Sequence, residues 1–129
     1  VNWTLLWLVM AGGAIGAGGR HLVGGWLLRQ LGDGMPWGTL AVNLAGSLLA
    51  GFLLVWLEDR GSGALYARAF LVVGVLGGLT TYSALMLECL VFARTAKPGL
   101  MLGYLAVTLV GGLALVWAGA RLAGWLRPV

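Results

Sequence analysis

Four long apolar stretches, roughly 3–28, 37–57, 65–93 and 99–126, take up nearly all of this 129-residue chain. A helix needs about 20 mostly apolar residues to cross the hydrocarbon of a bilayer, and each stretch is long enough. The charged residues fall mostly near the edges of these stretches, and they are few. Only 9% of the residues are charged, against roughly 25% in a soluble domain. A chain with so little polar surface cannot cover a water-facing globule. The sequence therefore predicts an all-α membrane protein of four transmembrane helices, forming a single transmembrane domain over 1–129.

The punctuation agrees with those spans. Pro36, Pro98 and Pro128 stand at span edges; Pro36 and Pro98 suit a first helical turn, where a missing N–H costs nothing. The linkers Gly32-Asp33-Gly34 and 58–63 are short and turn-like. The first stretch lacks a basic leading region, and its apolar run exceeds that of a cleavable signal peptide. Most of the seven tryptophans lie near span ends, as interfacial anchors do.

Several function classes are excluded. The net charge is +4, but the basic residues are spread singly and form no nucleic-acid patch. Cys89 is alone, so it builds neither a disulfide framework nor a zinc site and reads as a small core residue. No catalytic triad or metal-ligand cluster is present, so the chain is not expected to be an enzyme. Gly16-Ala17-Gly18-Gly19-Arg20-His21 lacks the last glycine of a dinucleotide fingerprint and follows no strand.

With four spans, one side carries Arg60, Arg68, Arg121 and Arg127, and the other Arg20, Arg29, Arg94 and Lys97. The positive-inside rule has almost nothing to act on. Such a chain is able to insert in both orientations and pair as an antiparallel homodimer; the alternative is one orientation fixed by something other than charge. The 23 glycines include the pairs Gly12/Gly16, Gly74/Gly78 and Gly99/Gly103, whose spacing lets helix backbones approach closely.

The polar residues inside the spans carry the functional signal. Thr39, Asn43 and Ser47 recur every four residues and share one helix face. An unpaired amide in hydrocarbon costs about 4–8 kcal/mol, so Asn43 must meet a partner helix or a polar path. The third span reads Gly77-Gly78-Leu79-Thr80-Thr81-Tyr82-Ser83. These are poor helix formers, and they predict a break over about 77–81, near the middle of the helix. Broken backbone at membrane depth survives only when buried in protein or lining a wet cavity, and its free carbonyls are able to hold a cation. Glu88 is the one acid inside a span and so a functional candidate, with the alternative that it reaches the interface near Arg94 or Lys97. Tyr104 and Thr108, one turn apart, extend the hydroxyl path. Arg20 closes the first span and is placed to draw anions into a vestibule; His21 reads as an interface residue. A donor-rich, cation-poor set of this kind suits a small anion that is expensive to dehydrate.

Three segments then carry a resemblance. Gly12-Gly13-Ala14-Ile15-Gly16-Ala17-Gly18-Gly19-Arg20, Gly38-Thr39-Leu40-Ala41-Val42-Asn43-Leu44-Ala45-Gly46 and Gly77-Gly78-Leu79-Thr80-Thr81-Tyr82-Ser83 resemble the signature segments of the Fluc (CrcB-type) fluoride channels. The resemblance covers the whole chain in length, span count and motif order. It implies a multi-pass channel of the plasma (inner) membrane that exports fluoride passively. It also implies an antiparallel dual-topology homodimer with two pores and a central structural sodium ion (Na+). The ion would be held by backbone carbonyls that map to Gly77 and Thr80. The fluoride path would run past Asn43, Thr81, Tyr82, Ser83, Glu88, Tyr104 and Thr108, with Arg20 in the vestibule. The partners implied are fluoride, membrane lipid and a second copy of the chain, with no nucleic acid. Where the family usually has two phenylalanines, this chain has Tyr82 and Leu85; Leu85 offers an ion no ring edge.

Two other classes compete. A small multidrug-type exporter needs a carboxylate in its first helix, and the first span here has no acid. A purely structural membrane protein would explain the glycines but not the matched polar stripes on three helices.

Overall fold

The computed structural model describes residues 1–127; Pro128 lies outside the described residues. The chain is all-helical. Helix α1 spans Trp3–Leu31, α2 Trp37–Trp56, and a long third rod runs through Ser62–Arg94. The last helix, α6, spans Pro98–Leu126. The ends follow local chemistry. The Asn2 side chain caps α1 by accepting from the Leu5 N–H at 3.2 Å, one of the donors a helix start leaves unpaired. Pro98 is the first residue of α6, whereas Pro36 sits one position before α2, as its cap. Gly32 ends α1 at φ 78°, in the left-handed region that glycine adopts without strain.

Among the described residues, three of these rods are long and apolar enough to cross a membrane: α2, the third rod and α6. Helix α1 matches α6 in length at 29 residues. Its glycines, tryptophans, Arg20 and His21 dilute its apolar character, so it falls short of the other three.

The third rod is not a uniform helix. It opens as α3 (Ser62–Arg68), continues as a π-helical segment over Ala69–Leu76, tightens again in α4 (Gly77–Leu79), and resumes as α5 (Tyr82–Arg94). Thr80 and Thr81 lie between α4 and α5 in extended conformations, at φ −88°, ψ 153° and φ −150°, ψ 122°. The interruption is therefore two residues wide, with both glycines of the Gly-Gly pair still helical. An eight-residue π segment is unusual, and π-helical turns are frequent at functional sites.

Close backbone approach assembles the rods in pairs. Helix α1 lies along the first half of the third rod. A Cβ on Gly12 or Gly16 would collide with the carbonyls of Phe70 or Val75, so only glycine fits there. The expected pairs Gly12/Gly16 and Gly74/Gly78 meet at this contact. Gly99/Gly103 behaves differently: nothing lies within 4 Å of where its Cβ atoms would be. A second seam, unread in the sequence, joins α2 to α6. There a Cβ on Gly51 would strike the Val116 carbonyl, and one on Gly119 the Leu48 carbonyl. The small apolar core consists of Leu85, Cys89 and Phe92 of α5 with Tyr104 of α6. Many large side chains face outward, among them Trp3, Trp7, Trp117 and Trp125. Exposed apolar surface on this scale is what lipid or another protein covers.

Candidate functional site

The break in the third rod meets the polar stripe of α2. The Thr81 N–H donates to Asn43 Oδ1 at 2.8 Å, and Asn43 Nδ2 donates to the Thr81 carbonyl at 3.1 Å. One amide thus pairs both backbone groups of the residue at the interruption. Because Thr81 presents one donor and one acceptor, the orientation of the amide is fixed. The Thr81 side chain then caps the new helix: Oγ1 accepts from the Ala84 N–H at 3.2 Å.

Carbonyls on the rim of the break lose their helical donors, Gly77 and Thr80 among them. In a continuous helix the N–H of residue i+4 would donate to the carbonyl of residue i. The Thr81 N–H that would serve Gly77 goes to Asn43. The Ala84 N–H that would serve Thr80 goes to Thr81 Oγ1. Gly77 and Thr80 are the two residues whose carbonyls the family resemblance implies as cation ligands. Both line an open groove of about 390 Å³ together with Asn43, Ser47, Thr81, Tyr82 and Thr108. The Thr80 hydroxyl folds back onto the Leu76 carbonyl at 2.7 Å.

One turn from Asn43 along α2, a second polar centre forms. Glu88 accepts from Thr39 Oγ1 on one carboxylate oxygen at 2.6 Å and from Tyr104 OH on the other at 2.5 Å. Three helices thus contribute one side chain each. Tyr104 is almost wholly enclosed, with 1% of its surface exposed, and its ring meets that of Phe92 edge-on at 6.0 Å. Glu88 and Thr39 also line a smaller cavity of about 220 Å³, beside Pro36 and Trp37. The carboxylate is thus engaged by two hydroxyls from α2 and α6.

The other sequence-predicted residues divide into two groups. Thr108 is buried and donates to the Tyr104 carbonyl at 2.8 Å, and Ser47 donates to the Asn43 carbonyl at 2.7 Å. Both face the groove but satisfy their own helices. Tyr82 and Ser83 point away from the chain's interior, Tyr82 being 74% exposed. Ser83 makes only a long contact with the Thr81 hydroxyl at 3.4 Å. Leu85 is buried at 4% exposure, in the core beneath the groove. Arg20 reaches the third rod, where its Nε donates to the Gly78 carbonyl at 3.2 Å. Sequence reading gave Thr39 no functional role beyond the stripe; its signal was the four-residue spacing from Asn43. Among the described residues, no group of three His, Cys, Asp or Glu side chains is placed to hold a metal.

An all-helical bundle with a broken rod and polar groups at the break defines a membrane protein whose interior handles a polar solute. Residues 7–120 match the family described as CrcB-like protein, Camphor Resistance (CrcB), and the chain belongs to that family. It is 58% identical to "Fluoride-specific ion channel FluC" of Xanthomonas euvesicatoria pv. vesicatoria (strain 85-10), over 98% of this chain and 95% of that one. The protein of the same description from Xylella fastidiosa (strain 9a5c) is 55% identical, over 98% of this chain and 88% of the other. That from Sphingopyxis alaskensis is 45% identical, over 88% and 90%. The chain is a multi-pass membrane protein of the plasma membrane and not an enzyme.

Proposed function

We propose that this chain is a fluoride-selective channel, passing fluoride down its gradient and so lowering fluoride inside the cell. The observation that carries this reading is the continuity of polar groups along α2. Thr39, Asn43 and Ser47 face, in turn, the Glu88–Tyr104 pair, the broken backbone at Thr81 and the groove beside Thr108. Full-length likeness to proteins described as fluoride-specific channels supports it. Fluoride needs strong, small donors to replace its water. The hydroxyls of Thr81 and Ser83, the ring edge and hydroxyl of Tyr82 and the remaining Nδ2 proton of Asn43 are such donors, and those of Thr39, Tyr104 and Thr108 would join them on turning from the acceptors they now hold. Arg20 supplies positive charge toward the vestibule.

In this reading α1 is the fourth transmembrane helix. Two copies insert in opposite orientations, their exposed faces around Tyr82 and Ser83 meeting across the groove. The balance of loop charge, four against four, supports this arrangement. A structural Na+ lies at the dimer centre. The donor set fits it: the Gly77 and Thr80 carbonyls are hard oxygen ligands freed from helical pairing, the kind that alkali and alkaline-earth cations take. When bound, the ion supplies a fixed positive charge between the two broken rods.

The test is fluoride retention in cells lacking a fluoride exporter of their own. Expression of this chain is expected to lower cytoplasmic fluoride, read with a fluoride electrode after lysis. Unchanged retention at equal membrane expression would refute the reading. Cysteines introduced beside Arg60, in a background lacking Cys89, are expected to label from both membrane faces. Labelling from one face alone would refute dual insertion.

A further inference from the structure

The rim of the break shows a division of labour among its carbonyls. Gly77 faces the groove. Its neighbour Gly78 faces the opposite way, pressed against α1, where a Cβ would come within 2.5 Å of the Gly13 carbonyl and 3.0 Å of the Ala17 N–H. The Gly78 carbonyl is taken by Arg20 Nε at 3.2 Å, a bond between residues 58 positions apart. Helix α1 therefore grips the last turn before the break twice, by backbone contact and by a charged donor. Beyond that turn only Thr80 and Thr81 connect to α5; the Thr80 N–H still reaches the Leu76 carbonyl at 2.9 Å, and the Thr81 N–H has left the helical ladder for Asn43.

We propose that Arg20 is a positioning residue for the cation site, a strut that holds the Gly77–Thr80 turn so that the Gly77 and Thr80 carbonyls stay aimed into the groove. This rests on the sodium reading given above. The turn is tied back to its own helix only through Thr80, whose N–H and hydroxyl both reach the Leu76 carbonyl, and the extended residues that follow add no ladder to fix its orientation. A charge-assisted bond to a carbonyl in that turn supplies the missing restraint. The bond is made through Nε.

The experiment measures the unfolding midpoint of the purified full-length chain in detergent, titrated with sodium chloride against choline chloride at constant ionic strength. Wild type is expected to be stabilised by sodium in a saturable manner. Arg20→Gln is expected to need about tenfold more sodium for half of that stabilisation, the factor expected from losing a hydrogen bond to a charged group. Arg20→Lys, which keeps a charged donor, is expected to stay within about threefold of wild type. An Arg20→Gln protein that is unfolded without sodium but recovered at high sodium supports the strut. A midpoint lowered equally in both salts, with the sodium requirement unchanged, would make Arg20 an ordinary packing residue and overturn the proposal. So would failure to fold at every sodium concentration. Tighter sodium binding in Arg20→Gln would also overturn it, since Arg20 would then act only as a repelling charge. Absence of sodium stabilisation in wild type would overturn the cation reading itself, a result visible without any variant.

Discussion

Two residues one helical turn apart on α2, Asn43 and Thr39, do different work. Asn43 spends its amide on backbone, pairing the N–H and the carbonyl of Thr81. Thr39 spends its hydroxyl on a side chain, sharing the Glu88 carboxylate with Tyr104. The first arrangement stabilises a shape that the third rod could not keep alone. The second holds one carboxyl group and two hydroxyls together across three helices. A polar stripe inside a membrane is thus not one functional unit: part of it supports the backbone of the break, and part of it engages a carboxyl group.

Asn43→Leu breaks the comparison hardest. It strips two part-buried backbone groups of their partners, each at up to about 1–3 kcal/mol. The expected result is loss of folded protein on size exclusion together with loss of fluoride flux. A monodisperse variant with normal flux would show that Asn43 serves neither the break nor the ion. Leu85→Ala comes next. It empties a buried site, and such truncations cost about 2–5 kcal/mol. The unfolding midpoint should fall clearly, while fluoride flux per folded protein stays close to wild type because an aliphatic side chain offers the ion nothing. Glu88→Gln should act in the opposite sense. It keeps one acceptor oxygen and the side-chain volume, so folding is expected to survive, but flux should fall about tenfold as one of two charge-assisted bonds is lost. The smallest effect is expected for Ser83→Ala, whose side chain makes, among the described residues, just the long hydrogen bond to Thr81. Stability should be unchanged and flux lowered no more than a few-fold, by liposome efflux.

Helical periodicity made much of this legible. The four-residue spacing of Thr39, Asn43 and Ser47 placed them on one face, and poor helix formers at 77–81 located the break. The Gly12/Gly16 and Gly74/Gly78 spacings marked a close contact that the structure joins. What the sequence could not carry was pairing across long separations. Asn43 lies 38 positions from Thr81, and no local pattern says that its amide spans both backbone groups there. The sequence left that amide between a partner helix and a polar path; within the chain it pairs with the break in the third rod. The Arg20–Gly78 bond and the Gly51/Gly119 seam were hidden for the same reason. Gly99/Gly103 shows the converse, since the right spacing meets nothing within the single chain. The π segment was also unreadable, because its apolar residues are equally at home in an ordinary helix.

The most direct test of the central claim is ion efflux from liposomes carrying the purified chain and loaded with fluoride or chloride. The account predicts rapid, passive fluoride release, with chloride retained at the level of protein-free liposomes. Equal release of both ions, or retention of fluoride by liposomes shown to contain folded protein, would contradict it.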